Sequence, residues 1–255
     1  MTPPRTPSFR LEERLKYALV PPALYHAYLE RKALKRGEPE LRLVPFLARS
    51  DRISIDAGAN KGVYTRWLAR FSKHVHAFEP NPKLFRILTR ALPGNVSCHA
   101  AALAERSGTA TLRIPYGPKG FSNQRASLNP NAAKGKVVEI EVETRALDDY
   151  GFDDVGFIKI DVEGFELAVL KGARETLRRC RPALLVEIEE AHSGEPLETS
   201  LSAIEALGYA GLFLKRGTLR PLSAFEPEAD QRSARARGGE ADYVFNFIFL
   251  PSGGG

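Results

Sequence analysis

From residue 51 onward, short apolar runs alternate with stretches of helical spacing, and this alternation strongly limits the possible folds. Parallel strands need long crossover connections, which are usually helices, so the pattern predicts an α/β fold with a mostly parallel sheet. The candidate strands are residues 52–58, 74–80, 96–103, 156–164, 183–190, 210–215 and 243–250. The candidate helices between them are residues 61–71, 82–91, 165–179 and 197–206. The last two strands leave no room for a helix, so we expect an antiparallel hairpin with residues 226–242 as its flexible loop.

An insertion interrupts this pattern at about residues 106–145. It contains two predicted strands, 109–115 and 137–145, joined by a polar loop rich in Gly, Asn and Pro. The 33 residues between Glu105 and Glu139 contain no acidic side chain. They carry six basic residues, Arg106, Arg113, Lys119, Arg125, Lys134 and Lys136. We therefore predict a lid that helps to hold an anionic or polyhydroxylated acceptor.

Residues 1–47 are predicted to form a helical N-terminal cap, and residues 48–252 the main domain. Helical spacing in 8–17 and 23–36 is interrupted by two prolines, at 21 and 22. The first 50 residues hold ten Lys and Arg against five Asp and Glu, whereas the net charge of the whole chain is only +6. A basic excess confined to one end is weak support for nucleic-acid binding, so we expect a small-molecule partner and no nucleic acid.

The compartment is predicted from what the sequence lacks. Cys98 and Cys180 are too few for a disulfide framework or a four-cysteine zinc site. The longest run without Asp, Glu, Lys or Arg is residues 91–104, which is too short to cross a bilayer. The N-terminus lacks the apolar core of a signal peptide. We therefore expect a cytoplasmic protein without a membrane span.

The first strand ends in IDAGANKGVYT, a tight turn that leads into a helix. Glycine at 58 lets the backbone approach a ligand, and the amide groups at the helix start favour an anion. A dinucleotide-binding GxGxxG turn would require glycines where Asn60 and Val63 stand, so the pyrophosphate fingerprint fails. Glu79 ends the next strand, where an acid can accept both hydroxyls of a ribose. A ribose without a pyrophosphate indicates S-adenosylmethionine.

The fourth strand ends in FIKIDVEGFE, whose alternation places Lys159, Asp161 and Glu163 on one side. Ionisable groups on a buried strand are costly unless they pair or perform chemistry. Lys159 either neutralises Asp161, Asp56 or Glu187, or has a functional role, and the sequence leaves both explanations open.

Four carboxylates at adjacent strand ends, Asp161, Glu163, Glu187 and Glu189, would suit Mg²⁺. Ion pairing with Lys159 explains part of this cluster, so we assign no metal ligand.

The segments DAGANKGVYT, FEPNP, AALAERSG, ETRALDDY, FIKIDVEGFELAVLKGA and PALLVEIEEAH resemble, in order and spacing, the FkbM-type S-adenosylmethionine-dependent methyltransferases. The resemblance covers about residues 50–192. It implies the class I methyltransferase (Rossmann-like) fold, a seven-stranded sheet with a C-terminal antiparallel hairpin. It also implies S-adenosyl-L-methionine as cofactor and methylation of a hydroxyl on a sugar or a natural-product-like acceptor.

Carried over by position, the resemblance implies a cofactor site and a set of catalytic candidates. The cofactor's methionine end would be held by Asp56, Gly58, Ala59 and Asn60, its ribose by Glu79, and its adenine by Ala101 and Ala102. The transferable methyl group would face Asp161 and Glu163. The candidate bases are Asp161 first, then Glu163 and His192, although a surface-loop role is the commoner explanation for this histidine.

Structural roles are expected for several other polar and aromatic side chains, namely Tyr64, Trp67, His74 and His76. Three alternative functions remain: a non-catalytic nucleotide-binding protein of the same fold, an RNA methyltransferase and an NAD-dependent oxidoreductase.

Overall fold

The computed structural model describes residues 7–117, 120–121, 126–130, 135–236 and 243–253. Its strands are β1 Ile53–Ala57, β2 His74–Phe78, β3 Val96–His99, β4 Ala101–Leu103, β5 Gly108–Gly117, β6 Gly120–Phe121, β7 Val137–Arg145, β8 Val155–Ile160, β9 Ala183–Glu187, β10 Tyr209–Lys215, β11 Thr218–Pro221 and β12 Asn246–Pro251. Its α-helices are α1 Leu11–Leu19, α2 Pro22–Arg36, α3 Val44–Leu47, α4 Val63–Leu68, α5 Pro82–Leu88, α6 Glu166–Lys171, α7 Arg174–Cys180, α8 Glu190–Ser193, α9 Leu197–Glu205 and α10 Ser233–Ala236.

The main sheet has the strand order β11-β10-β12-β9-β8-β1-β2-β3. Strands β3, β2, β1, β8 and β9 pair in parallel, whereas β12 is antiparallel to both β9 and β10. The predicted α/β class and the antiparallel end are confirmed. The predicted count of seven strands is wrong for this sheet, because β11 adds an eighth strand at the edge.

The carboxyl ends of the central strands meet at one edge of the sheet. In the sheet, β2 lies on one side of β1 and β8 on the other. The order of the strands therefore reverses at β1. Ligands bind beyond the strand ends at such a reversal. In the register, Asp56 lies opposite Lys159 of β8 and Ala77 of β2.

The predicted strand 96–103 is divided between two sheets. Its first half, β3, pairs with β2, and after Ala100 its second half, β4, pairs with β7. A four-stranded sheet in the order β4-β7-β5-β6 contains the two predicted strands of the insertion. Residues 96–103 look like one strand in the sequence because β4 is buried in the second sheet and is therefore as apolar as a core strand of the main sheet.

Apolar side chains fill both faces of the main sheet. Ile158 and Ile160 of β8 belong to a core cluster that also contains Val169 of α6 and Leu177 of α7. Phe157 belongs to the cluster on the opposite face, with residues of the N-terminal cap. Lys159, two residues after Phe157, therefore points to the cap side.

Residues 226–236 are ordered, contrary to the predicted flexible loop. A π-helical turn, Glu228–Arg232, continues into α10. Asp230 is buried and paired with Lys215. The Gln231 side chain donates to the carbonyl oxygens of Ile188 and Val244, both at 2.9 Å. These buried polar contacts fix the connection before β12, and the rest of the predicted loop, 237–242, lies outside the described residues.

The N-terminal helices α1 and α2 form where helical spacing predicted them, and the break falls at the two prolines. A buried Glu30 on α2 ties the cap to α4 and to the residues just after it. Its carboxylate lies 3.4 Å from Arg66 Nε and 2.5 Å from Arg70 Nη2. No helix within the described residues is both long enough and apolar enough to span a bilayer.

Replacing Glu30 with Gln should weaken the attachment of the cap. We expect a loss of about 1–3 kcal/mol in the free energy of unfolding, because the arginines lose a partly buried charged partner. Denaturant titration measures this loss. The matched control, Glu12→Gln on exposed α1, should change stability by less than about 0.5 kcal/mol. Equal effects of the two substitutions would contradict the anchoring role.

Candidate active site

A cavity of about 600 Å³ opens beyond the carboxyl ends of β1, β2, β8 and β9. Its volume lies within the usual range of small-molecule sites, about 300–1,000 Å³. The predicted residues in its wall are Asp56, Gly58, Ala59, Asn60, Glu79, Ala102, Asp161, Glu163 and His192. Ala101 is buried but does not line this cavity, whereas the cap and the insertion both contribute to the wall.

Gly58 brings the end of β1 against the end of β8. Its φ is +82°, and a Cβ atom placed there would lie 1.8 Å from the carbonyl oxygen of Asp161. The amides of Gly58 and Ala59 both donate to the carbonyl oxygen of Phe78, at 3.0 Å. We expected the amides of this turn to be available to an anion, but these two are already engaged. The turn therefore offers a ligand a backbone surface that no side chain covers at Gly58, and the amides of Gly58 and Ala59 are not free to bind an anion.

Glu79 is buried and held from both sides. One carboxylate oxygen accepts the amide of Asn60 at 2.7 Å, and the other accepts the amide of Asn81 at 2.8 Å. Burial raises the pKa of Glu79 to about 7, although these two hydrogen bonds lower it. Each carboxylate oxygen can accept a second hydrogen bond, so the side chain is fixed and can still bind hydroxyl groups.

Lys159 lies at the centre of the acidic part of the wall, and only 1% of its side chain is exposed. Its Nζ is 3.9 Å from Asp161 Oδ2 and 3.3 Å from Asn246 Oδ1. Burial opposes the charge, but the surrounding carboxylates, Asp161 foremost, keep the pKa of Lys159 above its ordinary value. Of the two explanations left open by the sequence, the structure favours neutralisation.

Asp161 follows β8 directly and faces the cavity. Burial raises the pKa of its carboxyl group, and the nearby Lys159 opposes that rise. Lys159 therefore favours the ionised form of Asp161, against the larger effect of burial.

Glu38, Tyr64 and Asn246 connect the cap to Lys159, and the sequence did not predict this role. Glu38 Oε2 accepts the hydroxyl of Tyr64 at 2.8 Å and the side-chain amide of Asn246 at 3.1 Å. Tyr64 was expected to be a packing residue, but it lines the cavity and makes this hydrogen bond. The position of Glu38 just after Gly37, which ends α2, gave no signal of a link to β12.

His192 lies in α8, and only 15% of its side chain is exposed, so the surface-loop explanation is wrong. Its Nδ1 is 3.0 Å from Glu163 and 3.8 Å from Glu189. The ligand atoms of Glu187, Glu189 and His192 lie within 4.8 Å of one another, a different set from the four carboxylates considered for Mg²⁺.

A short segment of the insertion, residues 126–130, is hydrogen-bonded to the segments that follow β8 and β9. Ser127 Oγ donates to the carbonyl oxygen of Glu163 at 2.6 Å. Asn129 Nδ2 donates to the carbonyl oxygens of Gly164, His192 and Ser193 at 3.0–3.1 Å. The insertion therefore holds the two segments that carry Glu163 and His192 in fixed positions.

The cations of the predicted lid are only partly described. Lys119, Arg125 and Lys134 lie outside the described residues. Arg113 pairs with Glu139 of β7 at 3.0 Å and does not line the cavity. The lid remains a prediction.

The other expected structural roles are confirmed for three residues. His74 bonds Ser97 at 2.9 Å, and His76 contacts the ring nitrogen of His99 at 3.2 Å. The indole of Trp67 packs on the ring of Phe71. None of these three side chains belongs to the cavity wall in the described structure.

Comparison with known proteins gives a family match over residues 56–210, to the family described as the methyltransferase FkbM domain. "Methyltransferase 1" of Beauveria bassiana is 26% identical over 183 residues, which cover 63% of this chain and 73% of that protein. The "hexuronic acid methyltransferase AglP" of Haloferax volcanii is 29% identical over 164 residues, covering 62% of this chain and 64% of the relative. The "2-O-methyltransferase NoeI" of Sinorhizobium fredii is 26% identical over 168 residues, which cover 59% of this chain and 69% of that protein.

Replacing Gly58 with Ala should disrupt the site. The added methyl group would overlap the Asp161 carbonyl group, so we expect a loss of more than about 3 kcal/mol in the free energy of unfolding. Gly217→Ala is the matched control, because Gly217 has a φ of +76° but nothing within 4 Å of the added Cβ. It should lose only about 1–2 kcal/mol, the cost of the left-handed backbone. Equal losses in denaturant titrations would show that the contact with Asp161 is unimportant.

Replacing Glu40 with Gln should make stability less dependent on pH. Burial raises the pKa of Glu40 from 4.5 to about 7. Between these two values the carboxyl group is protonated in the folded protein but ionised in the unfolded chain. The stability that this group contributes at low pH is therefore lost as pH rises from 4.5 to 7. The contribution of Glu40 to the stability of the wild-type protein should therefore fall between pH 5 and pH 8. In Glu40→Gln this contribution is absent, so the stability of the variant relative to the wild type should rise by about 2 kcal/mol, as unfolding titrations across that range would show. If the free energy of unfolding changed with pH equally in the two proteins, the raised pKa of Glu40 would be contradicted.

Proposed function

The chain belongs to the FkbM methyltransferase family, and from this premise we propose that it methylates a hydroxyl oxygen of a sugar or similar small polyhydroxylated acceptor, with S-adenosylmethionine as methyl donor. The observation that carries the proposal is the cavity that joins the glycine turn and Glu79 to Asp161. A methyl transferase must hold donor and acceptor side by side, and this cavity has elements suited to both.

The residues at the ends of β1 and β2 fit the cofactor. The turn at Gly58 offers a close backbone surface that a side chain would fill, and Glu79 presents a fixed carboxylate to ribose hydroxyls. The residues of the wall that would hold the cofactor are Asp56, Gly58, Ala59, Asn60, Glu79 and Ala102, whereas Ala101, which was also predicted to lie against the adenine, does not line the cavity. When bound, S-adenosylmethionine supplies an electrophilic methyl group on a sulfonium.

Asp161 is the first candidate for the catalytic base. An alcohol becomes a better nucleophile when a nearby carboxylate accepts its proton as the new bond forms. Asp161 faces the cavity, and the neighbouring Lys159 favours its ionised form. Lys159 itself is held in its charged state and has no lone pair to accept a proton.

His192 is the second candidate base. Glu163 lies 3.0 Å from its Nδ1 and would orient the ring, as a carboxylate orients the histidine of other acid–base sites. Both side chains line the same cavity as Asp161.

The apolar part of the wall would keep water from the reacting groups. Leu112, Ala126 and Leu128 of the insertion and Phe245 before β12 line the cavity. Excluding water strengthens the electrostatic interactions within the site and prevents hydrolysis of the donor.

Two observations support a polyhydroxylated acceptor. Asp161, Glu187 and Glu189 line the cavity with oxygens that can accept hydrogen bonds from hydroxyl groups. Two relatives carry names that specify a hexuronic acid and a 2-O-methyl transfer. The chain covers 64% and 69% of those two proteins, so the acceptor class belongs to the proposal.

Replacing Asp161 with Asn should lower kcat by about 100-fold or more, because the side chain loses its ability to accept a proton. Affinity for S-adenosylmethionine should change by less than about three-fold, since the amide keeps the shape of the carboxyl group. Methyl transfer to a panel of methyl glycosides and calorimetric titration of the cofactor measure the two quantities.

Glu79→Gln is the matched control. It should weaken S-adenosylmethionine binding by about 10- to 100-fold, because the amide loses charged hydrogen bonds to the ribose. Should Asp161→Asn lose kcat and cofactor affinity equally, Asp161 would position the cofactor and would not be the base.

A further inference from the structure

Two cations of the N-terminal cap line the cavity. Lys32 and Arg36 lie on α2 and are exposed, so they occupy the outer part of the wall. They are four residues apart, which places both side chains on one face of the helix. Lys61, from the turn after β1, lines the same cavity.

The helix that carries these cations is fixed. Its Glu30 pairs with Arg66 and Arg70, and Glu38, just beyond its end, accepts hydrogen bonds from Tyr64 and Asn246. The positions of Lys32 and Arg36 relative to the strand ends are therefore set by buried polar contacts.

Positive charges are concentrated on this side of the cavity. Within the described part of the chain, none of the salt bridges involves Lys32, Arg36 or Lys61. Burial lowers the pKa of Lys61, and the cations Lys16, Lys83 and Lys32 lower it further, whereas the Glu13 carboxylate raises it. Like charges held together without an ion-paired carboxylate favour an anionic ligand.

We infer that Lys32 and Arg36 form a subsite for an anionic group on the acceptor, so that the substrate is a saccharide bearing a carboxylate or a phosphate. This inference rests on the proposed function. A guanidinium binds either group through two parallel hydrogen bonds, and the lysine adds a point charge.

The charge distribution also sets the orientation of the acceptor. Asp161, Glu163, Glu187 and Glu189 lie at the strand ends and would repel an acidic group. The anionic group must then lie toward α2, and the hydroxyl to be methylated toward Asp161. The subsite therefore selects the acceptor and helps to choose which hydroxyl reacts.

The test compares three sugars that share one ring: methyl glucoside, its uronic acid and its 6-phosphate. Each is titrated by calorimetry into protein saturated with S-adenosylhomocysteine. Wild-type protein should bind at least one of the charged sugars about ten-fold or more tightly than the neutral sugar. The preferred sugar distinguishes a carboxylate from a phosphate.

Two double variants distinguish binding at Lys32 and Arg36 from a general effect of the positive charge of α2. Lys32→Gln with Arg36→Gln should abolish the preference and leave affinity for the neutral sugar unchanged. The matched control, Arg31→Gln with Lys35→Gln, removes the same charge from exposed positions of α2 outside the cavity wall and should keep the preference. Affinity for S-adenosylhomocysteine should stay within about three-fold in both.

Several results would overturn the inference. They are a wild-type protein with no preference for either charged sugar, equal losses in the two double variants, or weaker S-adenosylhomocysteine binding in the Lys32 and Arg36 variant. The last would place the pair at the cofactor's carboxylate. The proposed function fails separately, if the wild-type protein does not bind S-adenosylhomocysteine at all.

Discussion

The site depends on the contact between Gly58 and the backbone of Asp161. Only a residue without a side chain lets the turn after β1 lie this close to the end of β8. The same approach joins the end of β1, whose glycine turn is proposed to hold the cofactor, to the end of β8, which carries the first candidate base. Because β1 also pairs with β2, Glu79 can accept the amide of Asn60 in that turn. One backbone contact thus holds together the two halves of the proposed reaction site.

Charge balance is the second constraint on this cavity. Lys159 is buried among carboxylates, and their attraction keeps it charged despite the cost of burial. A hydrogen-bonded chain then runs from Lys159 through Asn246 to Glu38 of the cap. The cap is therefore part of the site's electrostatics, because Glu38 joins this chain while Lys32 and Arg36 line the outer part of the wall.

Local patterns in the sequence predicted the centre of the molecule well. The strand–turn–helix at Asp56 and Gly58, the acid at Glu79 and the charged end of β8 each lie within one segment, so spacing alone indicates them. The contact of Glu38 with Asn246 joins residues 208 positions apart, and no spacing rule reaches that far. The divided strand at Ala100 and the buried Gln231 were missed for a related reason, because each depends on which distant segment supplies its hydrogen-bond partners.

Calorimetric titration of the wild-type protein with S-adenosylhomocysteine and with NAD⁺ tests the proposed cofactor site most directly. If the buried carboxylate of Glu79 binds a ribose as proposed, the site should bind S-adenosylhomocysteine at one site per chain, with a Kd on the order of micromolar. It should give no binding heat with NAD⁺. Binding of NAD⁺ without binding of S-adenosylhomocysteine would contradict the assignment of this cavity to methyl transfer.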